Sequence, residues 1–338
     1  MSGIKSKFMS RIIKTLLVLS IFFFLVTIYL FFIGQGSQAG PSMVLFFLFL
    51  AFGIRGTDRF KGLSFTILIF AAVSLSMYYP QSFVQVGDFQ LKKLIVPLLQ
   101  IIMFGMGTAM SFNDFYGVIK MPKGVVVGLI CQFTIMPLLG FTLATVFNFP
   151  AEIAAGVVLI GSSPSGLASN VMAYLAKANV ALSVTLTAVA TLIAPLMTPI
   201  LMKYLAGSFV PIDFISMMIT IIKIVILPIM LGLIFNYFFH GKAKWLDKIM
   251  PIISMGGITL IIMIITAAGR DDLLTIGILL IIAAIIHNLM GYLLGYWGCR
   301  LLRMKEQDCR TIALEVGMQN GGLASGIALE MGKISTVG

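Results

Sequence analysis

The sequence predicts an all-α membrane protein that crosses the bilayer many times. Of its 338 residues, 59% are hydrophobic and 10% are charged, and the mean hydropathy is +1.08. Apolar runs of about 20 residues, the length that crosses roughly 30 Å of hydrocarbon, recur from end to end. Because these runs lack the short alternating pattern of barrel strands, and because backbone amides in lipid must pair within the structure, we predict helices.

The apolar runs define the predicted spans in chain order. We place them near 12–33, 41–54, 62–80, 94–110, 124–147, 151–176, 180–204, 214–239, 247–268, 275–299 and 310–332. The segment 41–54 is short for a crossing, so its pattern alone leaves a span and a re-entrant piece open.

Charge distribution decides that ambiguity and orients the chain. If 41–54 crosses, most basic residues between spans fall on one side, whereas Lys92, Lys93, Lys203 and Arg270 fall on the other. The positive-inside tendency then predicts a cytoplasmic N-terminus. We attribute the net charge of +11 to basic residues that orient the chain in a lipid bilayer, and we predict no nucleic-acid partner.

An internal repeat relates the two halves of the chain. The stretch SGLASN, Ser165–Asn170, recurs as GGLASG, Gly321–Gly326, at an offset of 156 residues. The stretch CQFTIMPLLGF, 131–141, resembles IHNLMGYLLGY, 286–296, at an offset of 155. The echoed spans are the sixth and the eleventh, and an odd separation inverts the second copy. Inverted repeats are typical of secondary transporters.

Both echoed spans contain helix breakers at membrane depth. The run GSSPSG, Gly161–Gly166, interrupts the first, and Gly317–Gly322 interrupts the second. Non-helical backbone at that depth is tolerated where protein buries it or where it lines a wet cavity, so its carbonyls are candidate ligands. Two kinked packing helices are the alternative interpretation.

Glu315 lies beside the second break. A carboxylate within a span costs a few kcal/mol, so we expect it to face a partner or water. The polar side chains expected near it are neutral, because Gln319 and Asn320 follow it and Ser169 and Asn170 lie at the other break. One charged oxygen among neutral ones favours sodium over a transition metal. GSSPSG does not meet the GxSxG pattern of a serine nucleophile and has no placed base, so no enzyme is predicted.

These motifs resemble a known family. GLASNVMAYLAKANVALSVTLTAVATLIAPLMTP together with EVGMQNGGLA, preceded by IIMFGMG and QFTIMPLLG, closely resembles the bile acid:sodium symporter family, in particular its bacterial members. The resemblance runs from about Phe60 to the C-terminus. It implies inverted five-helix repeats that form panel and core domains, with two crossing discontinuous helices in the core. It also implies import of an organic anion with two sodium ions across a bacterial inner (plasma) membrane.

The resemblance carries residue roles onto this sequence. It implies a first sodium site of Ser169, Asn170, Ser183, Thr187 and Glu315. It implies a second of Gln132, Glu315, Gln319 and the backbone carbonyls of Val316 and Met318. Asn170 and Asn320 resemble the substrate-facing residues. A threonine often found two residues before the Ser-Asn pair is Leu167 here, which leaves the substrate open.

The domain organisation departs from the family at both ends. Residues 1–56 form an N-terminal extension with two probable spans, 57–204 the first repeat, and 205–338 the second. The helix after the first break begins near Ala181. Adding the 156-residue offset of the repeat places its counterpart at 337, so the second repeat stops before its last helix. We expect a fragment of a longer gene product rather than a transport-incompetent form.

The function expected from these features is sodium-coupled symport of a small organic anion by alternating access. Bile-acid-like steroids, pantoate-like acids and keto acids are candidate substrates. Two sodium ions against one Glu315 leave about one positive charge, which a monoanion would neutralise. The alternatives are a proton-coupled exchanger and a non-transporting sensor on the same fold.

Overall fold

The computed structural model describes residues 2–56, 61–166, 168–239 and 244–331. Almost all of them are helical, and seven helices are long and apolar enough to cross a membrane. The prediction of an all-α protein with many membrane spans is confirmed. The helices in the first part of the chain are α1 Ser2–Phe32, α2 Gly40–Arg55, α3 Ser64–Tyr78, α4 Gln81–Val84, α5 Ile95–Ala109, α6 Phe112–Phe115, α7 Gly117–Lys120 and α8 Pro122–Val146.

Both predicted interruptions fall between helices in the later part of the chain. They are α9 Ala151–Ser162, α10 Ala168–Leu175, α11 Val180–Leu205, α12 Phe214–Ile221, α13 Leu227–Phe239, α14 Lys244–Ala268, α15 Arg270–Leu301, α16 Glu306–Gly317 and α17 Gly321–Glu330. A π-helical turn, Ile222–Ile226, joins α12 to α13. Short 3₁₀ turns occupy Gly36–Gln38, Lys61–Leu63, Leu91–Leu94 and Ala206–Ser208.

Regular structure also fills three segments that the sequence left between spans. Residues 85–90 form a small antiparallel hairpin, in which Gln85 pairs with Gln90 and Val86 with Phe89. The segment before α8 carries α6 and α7. Helix α15 begins at Arg270, with Asp271 and Asp272 in its first turn, where acidic side chains favour the positive end of the helix dipole.

The described residues separate into two compact units. One consists of the described residues up to 92 together with 259–270, and the other of the described residues in 93–258 and from 271 onward. The repeat boundaries predicted from the sequence, 57–204 and 205–338, stay a prediction. The predicted loss of a last helix concerns residues 332–338, which lie outside the described residues, and so does Leu167.

The first unit contains the predicted N-terminal hairpin. Helices α1 and α2 pack through aromatic pairs, with ring centroids 5.6 Å apart for Phe23 and Phe49. Thr27 Oγ1 donates a hydrogen bond to Ser42 Oγ at 2.8 Å, which joins the two helices at a buried point. Ser64 Oγ at the start of α3 donates to the Ala51 carbonyl of α2. Helix α2, although short, therefore packs against both α1 and α3 within this unit.

The second unit contains both broken spans and the helices that hold them. Gly291 and Gly295 of α15 lie so close to α16 that a Cβ would meet Gly317 Cα at 3.0 Å and Ile312 O at 3.2 Å. Asn288 Nδ2, on the same helix, donates to the Gly317 carbonyl at 2.6 Å. Helix α15 thereby fixes the end of α16 next to the second break.

Candidate functional site

The first break follows from its proline. Pro164 disfavours a helical conformation in the residue before it, and Ser163 is extended, with φ −81° and ψ 152°. Helix α9 therefore ends at Ser162, inside the predicted interval. The second break begins after Gly317, where Met318 is extended, and α17 starts at Gly321. Both predicted interruptions are present.

The two breaks pair with each other as a short piece of antiparallel sheet. Ser165 and Gln319 form an isolated bridge. The Gly166 amide donates to the Met318 carbonyl at 3.3 Å, and the Asn320 amide donates to the Pro164 carbonyl at 2.9 Å. Each non-helical segment thus satisfies amides and carbonyls of the other, which is what burial at membrane depth requires.

Helices α11 and α16 contact each other beside these breaks. Asn179, the N-cap of α11, donates through its backbone amide to Thr311 Oγ1 at 2.8 Å. Its Nδ2 donates to Asp308 Oδ1 at 2.7 Å. Glu315 lies one turn beyond Thr311, and Ser183 and Thr187 lie one and two turns beyond Asn179. The N-cap contact therefore brings the two polar faces together.

Glu315 is the centre of the site. Its side chain is 2% exposed. Ser183 Oγ donates to its Oε1 at 2.5 Å, and Thr187 Oγ1 donates to its Oε2 at 2.9 Å. Ser165 Oγ also donates to Oε2, at 2.5 Å. Within the described residues its hydrogen-bond partners are hydroxyls, so its charge is not balanced by a lysine or an arginine.

Asn170 and Ser169 lie beside these oxygens. We call the following side chains the first set: Ser165, Ser169, Asn170, Ser183, Thr187 and Glu315. Asn170 Oδ1 lies 2.8 Å from Ser183 Oγ and 3.3 Å from Thr187 Oγ1, and it is the alternative acceptor for the single hydrogen of each hydroxyl. Ser169 Oγ donates to the Gly166 carbonyl at 2.7 Å and lies 3.4 Å from Thr187 Oγ1. The five side chains that the resemblance grouped, Ser169, Asn170, Ser183, Thr187 and Glu315, therefore lie together.

A second set of amides and carbonyls adjoins Glu315. Gln132 Nε2 donates to Gln319 Oε1 at 2.8 Å and to the Ser163 carbonyl at 3.0 Å. Gln319 Nε2 donates to the Val316 carbonyl at 2.7 Å. Gln132 is 3% exposed, and its Oε1 has no hydrogen-bond partner in the described structure. The second set, Gln132, Gln319 and the Val316 and Met318 carbonyls, thus includes one buried oxygen without a hydrogen-bond partner among the described residues.

The sequence of this chain is similar to those of known sodium-dependent transporters. Residues 96–276, more than half of the chain, match the model of the sodium bile acid symporter family. The uncharacterized sodium-dependent transporter YocS of Bacillus subtilis is 40% identical over 275 residues, which cover 81% of this chain and 84% of that protein. The chain belongs to the sodium bile acid symporter family. The family predicted from the motifs is confirmed.

More distant members of the sodium bile acid symporter family are also similar. The ileal sodium/bile acid cotransporter of Homo sapiens is 36% identical over 246 residues, covering 70% of this chain and 69% of that protein. The probable chloroplastic sodium/metabolite cotransporter BASS1 of Arabidopsis thaliana is 34% identical over 232 residues. The alignment with BASS1 covers 69% of this chain but only 58% of that protein. These names place the chain in a family of sodium-dependent transporters and multi-pass membrane proteins.

Ser165 is the site residue that sequence reasoning missed. It is buried in the first break, bridges to Gln319 through its backbone and bonds Glu315 through its hydroxyl. Its position inside the predicted interruption was the available signal. Its partner was not visible, because the contact joins residues 150 positions apart across two helix ends.

The donor chemistry fits a small monovalent cation. Hydroxyl, amide and carbonyl oxygens are hard ligands, and the carboxylate supplies one negative charge. Among the described residues there is no group of three or more His, Cys, Asp or Glu side chains that would hold a transition metal. The first set and Gln132 Oε1 of the second set supply oxygens of the kind that sodium prefers.

Proposed function

We propose that this protein is a sodium-coupled symporter that imports a small organic monoanion with two sodium ions. One observation carries the proposal: Glu315 is a buried carboxylate whose partners are hydroxyls. An ionised carboxylate inside a membrane protein needs a compensating charge. Sodium in contact with the first set would supply that charge while keeping every hydroxyl within bonding distance.

The second ion would bind where the orphaned Gln132 Oε1 lies. Sodium there would replace the hydrogen bond between Gln319 Nε2 and the Val316 carbonyl, so that both of those residues could present oxygens. Two ions against the single charge of Glu315 leave about one positive charge. A monoanion held at the crossing would restore neutrality, and ion and anion would then raise each other's affinity.

Asn170 and Asn320 are suited to bind the anion through their amide groups. Asn170 Oδ1 accepts from hydroxyls of the first set, and Asn320 Oδ1 caps α17 by accepting from the Leu323 amide at 3.1 Å. Both side chains are partly exposed. With the oxygens engaged, the N–H groups remain for a ligand, and two amide donors match a carboxylate. We infer a carboxylic acid substrate of the bile-acid, pantoate or keto-acid type.

Uptake by the protein in vesicles under separately imposed sodium and pH gradients tests this proposal. We expect a carboxylate that raises the melting temperature in sodium chloride, but not in choline chloride, to be accumulated when sodium is high outside. Accumulation that follows the pH gradient without sodium would favour the proton-coupled exchanger. Sodium-dependent binding of the carboxylate without any accumulation would favour the sensor.

A further inference from the structure

Ser162, the last residue of α9, carries a buried hydroxyl without a partner. The side chain is 0% exposed, and its Oγ has no hydrogen-bond partner among the described residues. The neighbouring Ser163 is equally buried, yet its Oγ donates to the Leu159 carbonyl at 2.9 Å. The end of α9 can therefore satisfy a hydroxyl, and the orphaned one needs an explanation such as a bound water or ion.

The helix that faces Ser162 carries two backbone acceptors without helical donors. Thr198 Oγ1 of α11 donates to the Ser162 carbonyl at 2.7 Å, which places this part of α11 against the end of α9. Pro195 lacks the N–H that would pair with the Thr191 carbonyl, and Pro199 lacks the one for the Pro195 carbonyl. All four α11 residues are buried, so these carbonyls lie within protein.

The orphaned hydroxyl adjoins the second set. Gln132 Nε2 donates to the carbonyl of Ser163, the residue after Ser162. In the described structure, Gln132 Oε1 and Ser162 Oγ are the two buried side-chain atoms that lack a hydrogen-bond partner. Both residues lie at the end of α9, Ser162 as its last residue and Gln132 through its hydrogen bond to the Ser163 carbonyl. We call this end of α9 the junction.

We propose that Ser162 Oγ, Thr198 Oγ1 and the Pro195 carbonyl, which Pro199 leaves without its helical donor, form a third sodium site, used in transit to the second set. The inference rests on the proposed sodium symport. The Thr198 hydrogen is already given to a carbonyl, so the junction presents lone pairs, which suits a cation rather than an anion.

The neutral character of this junction sets its role. A site without a carboxylate cannot offset dehydration as the Glu315 site does, so it holds sodium weakly and releases it readily, as conduction sites must. Thr198 lies about 10 Å from the Leu205 end of α11 at 1.5 Å per residue. The positive-inside prediction puts that end outside, so the ion enters from the extracellular side.

Monovalent thallium locates such a site directly. Crystals of the full chain soaked in thallium acetate should give three anomalous peaks, one in the first set, one beside Gln132 and a weaker one between Ser162 and Thr198. Crystals of the Ser162→Ala variant should lose the third peak and keep the other two. Ser76→Ala is the matched control, because Ser76 is equally buried and its hydroxyl is satisfied by the Ala72 carbonyl of its own helix.

The outcomes separate this inference from the proposed function. Density at Ser162 that is the same in thallium and in choline means a water only, and it overturns the third site. A featureless junction, together with a higher melting temperature for Ser162→Ala than for the wild type in choline, also overturns it. Absence of peaks around Glu315 in the wild type contradicts the proposed sodium symport itself.

A kinetic measurement adds a readout that packing changes would not move. In vesicles, Ser162→Ala should raise the sodium concentration that half-saturates ion-driven carboxylate uptake roughly fivefold, about the contribution of one neutral ligand. It should also change the ratio of sodium to lithium that supports uptake, because the ligand set has changed. An unaltered ratio with unaltered half-saturation contradicts the transit role.

Discussion

The two proposed ligand sets around Glu315 differ in how far they are assembled. In the first set, three hydroxyls already point at the carboxylate, and Asn170 Oδ1 lies among them. In the second set, the Gln132 and Gln319 amides bond each other and neighbouring carbonyls, and one oxygen is left over. An ion in either set must replace existing hydrogen bonds, but in the first set the hydroxyl oxygens already surround the carboxylate, whereas in the second set the amide groups of Gln132 and Gln319 would also have to turn.

This difference predicts an order of binding. A preorganised site binds more tightly than one that must rearrange, because the ordering has already been paid for in folding. We therefore expect the first sodium ion to occupy the first set. Once Glu315 has been fixed by that ion, the second ion binds with help from the first, which gives cooperative sodium dependence.

The largest expected effect is that of Glu315→Gln, which removes the charge that both sets share. We expect sodium-dependent uptake to fall at least about 100-fold, in line with the strength of interactions that involve a buried charge. Uptake in vesicles measures it. Glu330→Gln is the control, since Glu330 is exposed at the end of α17. Unchanged sodium dependence in Glu315→Gln would mean that Glu315 is not the charge shared by the two sets.

Thr187→Val tests the first set alone with little change in volume. The hydroxyl donates to Glu315 and its oxygen also lies 3.3 Å from Asn170 Oδ1, so its loss should raise the half-saturating sodium concentration about tenfold. Thr145→Val is the matched control, because that hydroxyl bonds only the Phe141 carbonyl of its own helix in the described structure. A shift of the same size in both variants would mean that the hydroxyl acts through helix packing.

Gln132→Leu tests the second set and should have a smaller effect on half-saturation. We expect the Hill coefficient for sodium to fall from about 2 to about 1, because one of two coupled ions is lost. Gln100→Leu serves as control, since the Gln100 amide is exposed and donates to the Lys223 carbonyl. A Hill coefficient that stays near 2 in Gln132→Leu would place the second ion elsewhere.

Helix positions and breaks were predictable from sequence because their causes are local. Pro164 ends α9 through its own backbone chemistry, the glycines at 317, 321 and 322 mark the second break, and apolar runs of spanning length mark the other helices. The motif resemblance then supplied the ligand sets. Residues 110–121 were harder, because α6 and α7 are short, and short helices depend on what they pack against.

The pairing of the two breaks was not predictable in the same way. The bridge between Ser165 and Gln319, and the bond from Ser165 to Glu315, join distant segments whose register depends on contacts elsewhere. The contact of Asn179 with Thr311 is one of those, and it involves residues 132 positions apart. Periodicity and composition describe single segments, so they carry no information on such register.

Equilibrium binding of radioactive sodium to the purified full chain tests the central claim most directly, because it needs no knowledge of the substrate. We predict that two ions bind tightly per chain with positive cooperativity, at sodium concentrations too low to fill the weak site at Ser162, and that Glu315→Gln abolishes both. Gln132→Leu should leave one. Binding that survives in Glu315→Gln at unchanged stoichiometry and affinity would contradict a sodium site built around the buried carboxylate.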